Sequence, residues 1–339
     1  MKVTFDTKAI QPMADWLMKR KRGVSNEAEL RTILKLPEYG VEFKRYNSPG
    51  LPMAHISYEE AVDFFLNFDK KTFTNPRLEY KREYFIKFYE DLENKMKLVE
   101  MFNSITSQDQ EQILTLLKNG LPSEIAKQDN ETIVLLIVSI GNSLGWPYEN
   151  YIDFDVANLA LIKDKDTFIH IIAHELHHTH FEEIMPSKYT PSDLFLINFA
   201  FEGLAVHFNN NAYTEHKPSK YKGPMIGMCE ADWQLYGSEF AELFNQFKQD
   251  YLATKTLDMK GVQKLLGEHY EQFTYKSLKD GSIKNIQQYP TYYLGCYFYG
   301  SIDLAFGKEK LYETLKRPDQ LISVYNEAAK KLGNSKYLF

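Results

Sequence analysis

Cysteine is nearly missing from this chain. Two occur, Cys229 and Cys296, and neither sits in a CxxC pair or a Cys/His ligand spacing. That excludes a zinc ribbon or a thioredoxin-like redox site and makes two free thiols a simpler expectation than one disulfide. Long apolar runs are missing too. The most hydrophobic stretch, Thr132 to Ile140 ("TIVLLIVSI"), is shorter than the roughly 20 residues a membrane span needs. No apolar segment follows the charged start, so no signal peptide is read and a cytoplasmic location is expected, with a trimmed secreted form as the alternative. A basic surplus is lacking: 40 Lys and Arg stand against 46 Asp and Glu, a net charge of −6. Nucleic acid is therefore not an expected partner. The short basic run Lys19 to Arg22 reads as a solvated helix end. Neither solenoid repeats nor low-complexity linkers appear.

What remains is the composition of an ordinary globular chain of 339 residues, 44% hydrophobic and 25% charged, long enough for one large core or two modest ones. Aromatics reach 14% and are read first as core. The first third reads as helices. Ser57 with Glu60 three residues later is a capping-box spacing ahead of a helix to Lys71. Asn75 to Phe102, with Pro76 at a first helical position and no later breaker, reads as one long amphipathic helix. Ser107 to Pro122 is another, stopped by Gly120 and Pro122. The middle changes character. Glu131 to Gly141 reads as a buried strand, and the segment from Gly145 to Ile162 as a turn and one further strand. A helix capped by Asp166 follows, then a second begun by Pro191 and Ser192 and ended by an asparagine run. The last third is helical, with breaks near Gly223, Gly237 and Gly281. The organisation expected is a helical region over 1–128 and a region over 129–339 that carries the chemistry, with one continuous domain as the alternative.

Five of nine histidines fall between His170 and His180, in "FIHIIAHELHHTHFEE". On a helix, His174 and His178 lie one above the other, so two ring nitrogens can reach one ion. Glu175 is rotated off that line, where it can approach a metal-activated water without ligating. This is the HExxH arrangement of two ligands and a general base. A catalytic zinc needs a third protein ligand and an open position. His177 and His180 point off the ligand line. Glu202 is the best source: it lies on the next helix, with 23 residues between it and His178, enough to turn and return alongside. Gly203 beside it permits close helix approach. An acid within the apolar run "NFAFEGLAVHF" needs a reason to be buried, and a metal supplies one.

"HELHH" followed by "FEGLA" resembles the gluzincin clan of zinc peptidases. More specifically, the chain is similar to a bacterial family of zinc-dependent peptidases without an assigned substrate. That resemblance extends to the opening "VTFDTKAIQPMADWL" and the tail from Tyr292 to Ala328. It implies a mainly α (α+β) fold: a zincin-like core with a small sheet beside the active-site helix, flanked by helical regions. It implies one Zn2+ per chain on His174, His178 and Glu202, Glu175 as general base, and a peptide or protein substrate. Thermolysin-type gluzincins often carry Asp four residues after the ligand Glu; here Val206 stands there, so Asp153, Asp155, Asn198 or His207 is left to support a ligand histidine. The alternatives are a binding protein with a structural metal site and a zinc hydrolase of non-peptide amides.

Other residues are weighed beside the motif. His170 reads as packed or hydrogen-bonded near the site, and His177 and His180 as surface or supporting residues. His207 is a candidate for orienting substrate or binding the oxyanion. The tail "YPTYYLGCYFYG" offers Tyr292, Tyr293, Tyr297 and Tyr299 as oxyanion donors. Tyr299 is preferred, because it shares a helix face with Gly295 and a ring there can reach across a close-packed helix.

Overall fold

The computed structural model describes residues 1–49, 55–141, 144–159, 164–217, 220–221 and 225–339. The break expected near Gly223 lies outside them, as do residues 160–163 at the end of the expected second strand. The chain is mainly helical with a small four-stranded sheet and a separate two-stranded hairpin among the described residues, in line with the mainly helical class with a small sheet read from sequence. No helix among the described residues is long and apolar enough to cross a membrane. Two compact units form, Met1–Leu114 with Asp129–Ile169, and Thr115–Gln128 with His170–Phe339.

The first unit holds a four-stranded sheet of β1 (Lys2–Asp6), β2 (Glu131–Ile137), β3 (Leu144–Tyr148) and β4 (Tyr151–Asp155), in the order β1-β2-β4-β3. The β-branched run of β2 is buried from Val134 onward and pairs in parallel with β1 and β4, with Val3 opposite Thr132 and Val134 opposite Ile152. Two sequence expectations change here. The opening residues form a strand, not part of a helical region; its partner lies about 130 residues on, beyond any local periodicity. The single strand expected after β2 is a hairpin, β3 and β4, turning at Glu149 with φ 53°.

Helices of this unit include α1 (Pro37–Tyr46), α2 (Tyr58–Asn67) and α3 (Pro76–Glu90). The Ser57/Glu60 capping box forms as read. Phe64, Phe65 and Phe68 of α2 meet Phe85 of α3, with ring centroids 4.9–5.8 Å apart. The long helix read from Asn75 is broken at Asp91. That residue takes φ −105°, ψ 25°, its side chain accepts from Asn94, and a second helix runs on from Leu92 to Asn103. A short acid that bonds its own downstream neighbour competes with the helix ladder.

In the second unit, α4 (Lys165–His178, from His170 onward), α5 (Pro191–Asn209), α6 (Met259–His269) and α7 (Pro290–Phe306) frame the site. The α4 start is capped by Asp164, whose Oδ1 accepts from Thr167 N at 2.7 Å, in place of the expected Asp166. Thr190 caps α5 in a capping box with Asp193. Both α5 and α7 are apolar nearly all round, as buried helices are. They cross at two glycines: a Cβ on Gly203 would lie 2.4 Å from Gly295 Cα, and one on Gly295 would lie 2.1 Å from Phe199 O. No other residue allows that approach without moving a helix. A hairpin of β5 (Thr274–Lys276) and β6 (Ile283–Asn285) turns at Gly281, φ 73°. Both cysteines are free.

Candidate metal centre

The spacing of four along α4 stacks the His174 and His178 rings edge to face, centroids 4.8 Å apart. Glu202 projects from α5, one residue before the glycine at the crossing. His174 Nε2 lies 3.1 Å from His178 Nε2 and 3.1 Å from Glu202 Oε2, and His178 Nε2 lies 3.4 Å from the same oxygen. Zinc bonds of about 2.0–2.1 Å at tetrahedral angles place ligand atoms roughly 3.3 Å apart. The three donor atoms already form a triangle of that size. Among the described residues this is the cluster able to hold a metal.

Each ligand is held from behind. His174 Nδ1 meets Asn210 Oδ1 at 2.7 Å, which fixes the tautomer that leaves Nε2 for a metal. Asn210 caps the end of α5 and is itself fixed, its amide donating to Ile226 O. Against His178 lies Phe201, nearly parallel at 3.9 Å, while His178 Nδ1 is buried without a hydrogen-bond partner among the described residues. One ligand is thus oriented by an acceptor and the other by an aromatic face.

The electrostatics are those of lone pairs brought together. Burial disfavours a charged His174, but the hydrogen bond to Glu202 and the fields of Glu175 and Glu202 lift its pKa to about 9. Burial would raise Glu202, yet the two imidazoles hold it far below the usual carboxylate range. His178 is lowered by burial. Burial pushes half-buried Glu175 up to about 8, with His174 opposing and Glu202 assisting. A divalent cation would satisfy all three donors at once and release the His174 proton.

Tyr292 is the tyrosine at this cluster. Its ring lies parallel to that of His174, centroids 6.4 Å apart, and burial together with the charges of Glu202 and Glu175 holds its hydroxyl well above the ordinary tyrosine pKa. Tyr299 is a correction: its hydroxyl is buried and donates to Leu196 O at 2.6 Å. Both tyrosines share a face with Gly295. One turn before Gly295 the Tyr292 ring faces His174, and one turn after it the Tyr299 hydroxyl is turned to Leu196 O. Face sharing alone cannot give that direction.

His207 is the second correction. Five residues beyond Glu202 is about 140° around the helix. There it is buried, with Nε2 on Asp303 at 2.8 Å and Nδ1 facing Lys217 Nζ at 3.0 Å. Burial and Lys217 pull its pKa down to about 3 despite Asp303, so it stays neutral as a packing element. The partners suggested for a ligand histidine are engaged elsewhere: Asp153 with Arg45, Asp155 with Lys81, Asn198 with Glu271. Asn210 takes that role instead, and its only sequence signal was the asparagine run read as a helix stop. His170 bonds Asn209 O through Nδ1, near the site as read. His177 and His180, read as surface or supporting residues, are both buried, on Tyr312 and Glu183 respectively.

Glu202 also lines an open cleft of about 280 Å³ with Asn198, Phe201, Glu271, Tyr289 and Thr291. The arrangement therefore offers three candidate ligands and an approach from solvent, whereas structural metal sites are closed by four. No curated protein and no solved structure matches the chain. A family model does, over residues 31–334, and the chain accordingly belongs to the family described as "Putative zinc dependent peptidase (DUF5700)".

Proposed function

We propose that this chain is a zinc-dependent peptidase of the gluzincin type, binding one Zn2+ through His174, His178 and Glu202. The triangle of donor atoms beside an open cleft carries the reading. When bound, zinc polarises the scissile carbonyl and acidifies a water. Glu175 accepts the proton of the attacking water and returns it to the leaving amine. Asn210 and Phe201 hold the two imidazoles in orientation. Tyr292, not Tyr299, is the hydroxyl positioned to donate to the developing oxyanion. A structural metal site has no use for an acid such as Glu175, which is half-buried and makes no hydrogen bond to a described residue.

The test is Glu175→Gln in zinc-loaded protein, assayed on a peptide library with metal content measured alongside. Retained zinc with hydrolysis lowered by about 100-fold or more supports the assignment. Hydrolysis at the wild-type rate would remove Glu175 from the mechanism. Cleavage of simple amides in place of peptides would favour a non-peptide hydrolase.

A further inference from the structure

The cleft beside Glu202 contains a second carboxylate that the metal site does not use. Glu271 follows α6 in the loop to β5 and is exposed, and its Oε1 accepts from Asn198 Nδ2 at 3.0 Å. No Lys or Arg lines the cleft, and among the described residues no cation pairs with Glu271. Its backbone is anchored. The neighbouring Tyr270 is buried, with its hydroxyl on Asp250 at 2.7 Å and its ring against Phe199 of α5, centroids 4.9 Å apart. Asn198 occupies one oxygen, and no described residue hydrogen-bonds the other.

Aromatic faces complete the surroundings. Phe201, already stacked on His178, is partly exposed, and Tyr289 lines the opposite helix start, with Phe273 4.9 Å beyond it and 59% exposed. The start of α7 contributes a positive partial charge, but that is about half a unit spread over several N–H groups, against the full charge of Glu271. With Glu202 committed to the metal, the carboxylate left to the cleft is that of Glu271, and a carboxylate between ring faces suits a cationic nitrogen.

We propose that this cleft receives a cationic nitrogen of the peptide on Glu271, and that Glu271 sets substrate preference. The nitrogen belongs to a Lys or Arg side chain or to a free N-terminal ammonium. This rests on the peptidase reading and supplies its substrate class.

The experiment uses zinc-loaded protein and quenched-fluorescence peptides with Lys, Arg or norleucine at one varied position, each with a free or an acetylated N-terminus. Cationic peptides are expected to be cleaved with about tenfold higher kcat/KM, the joint effect of an ion pair and ring contact. Glu271→Gln removes that advantage, chiefly through KM, and leaves neutral peptides unchanged. Glu271→Lys shifts preference toward acidic peptides. Loss on acetylation marks the N-terminal ammonium as the source, and loss on norleucine substitution marks the side chain. Equal cleavage of cationic and neutral peptides by wild type, or an equal loss on both in Glu271→Gln, overturns the proposal. Should no peptide be cleaved, the peptidase reading falls. The cleft is then tested by fluorescence anisotropy of labelled Arg and norleucine peptides with wild type and Glu271→Gln, and equal affinities overturn it.

Discussion

The carboxyls buried in the sheet-bearing unit and those around His174 are neutralised in different ways. In the first, Asp153 faces Arg45 at 2.8 Å and Asp155 faces Lys81 at 2.5 Å. Asp155 also accepts from Tyr84 and from Ser139 N, and Arg77 lies over the Tyr46 ring at 4.7 Å. Glu42, bonded by Ser139 Oγ and by Ile140 N, is pushed by burial up to about 8 and holds a proton at neutrality. Both aspartates there are paired with a cation of the same unit. Around His174 the donors converge instead. Two imidazoles and Glu202 face one another at 3.1–3.4 Å, and among the described residues no Lys or Arg pairs with Glu202 or Glu175. Internal closure serves stability. Convergent lone pairs with no cation from the chain call for one from outside.

The largest expected break in that comparison is on the convergent side. Glu202→Ala or His174→Ala should take zinc from one per chain to none by elemental analysis, with hydrolysis lost and the fold retained by circular dichroism. On the closed side, Lys81→Met leaves Asp155 buried without its cation. Chemical denaturation should show a loss of about 3–5 kcal/mol with zinc content unchanged. Zinc retained in the first variants, or lost in the second, would erase the distinction between the two regions.

A smaller effect separates the two ligand histidines. Asn210→Ala frees His174 Nδ1 from its acceptor, and chelator competition should read a roughly 10–100-fold weaker zinc affinity. The smallest effect belongs to Glu42. Its folded pKa of about 8 lies above that of an unfolded carboxyl, so the folded state binds the proton more tightly. The stability from this proton is fully present below about pH 4.5 and is lost as pH rises toward 8. Glu42→Gln should flatten the fall in denaturation midpoint across that window. An unchanged slope would mean that Glu42 is ionised in the fold.

Local signals proved legible where a few adjacent residues suffice. The Ser57/Glu60 cap, the buried strand from Glu131, and the helix carrying His174 and His178 at a spacing of four each depend on contacts within one turn or one strand. Glu202 was reachable because an acid in an apolar run is costly unless something binds it. Three other features depend on elements distant in sequence. β1 pairs with a strand about 130 residues away. Asn210 reaches back across 36 residues to His174. The Tyr292 ring lies against His174, while the Tyr299 hydroxyl is taken up by Leu196 O on α5.

By itself, then, the sequence determined the mainly helical class with a small sheet, and a set of residues able to bind metal, since helical periodicity and the cost of a buried acid act locally. Only the tertiary structure decided which tyrosine lies against His174, what holds each imidazole, and that Glu271 shares a cleft with Glu202. Those depend on the direction and closeness of helix packing at Gly203 and Gly295, and a pattern along one chain segment carries no information about the orientation of the segment it packs against.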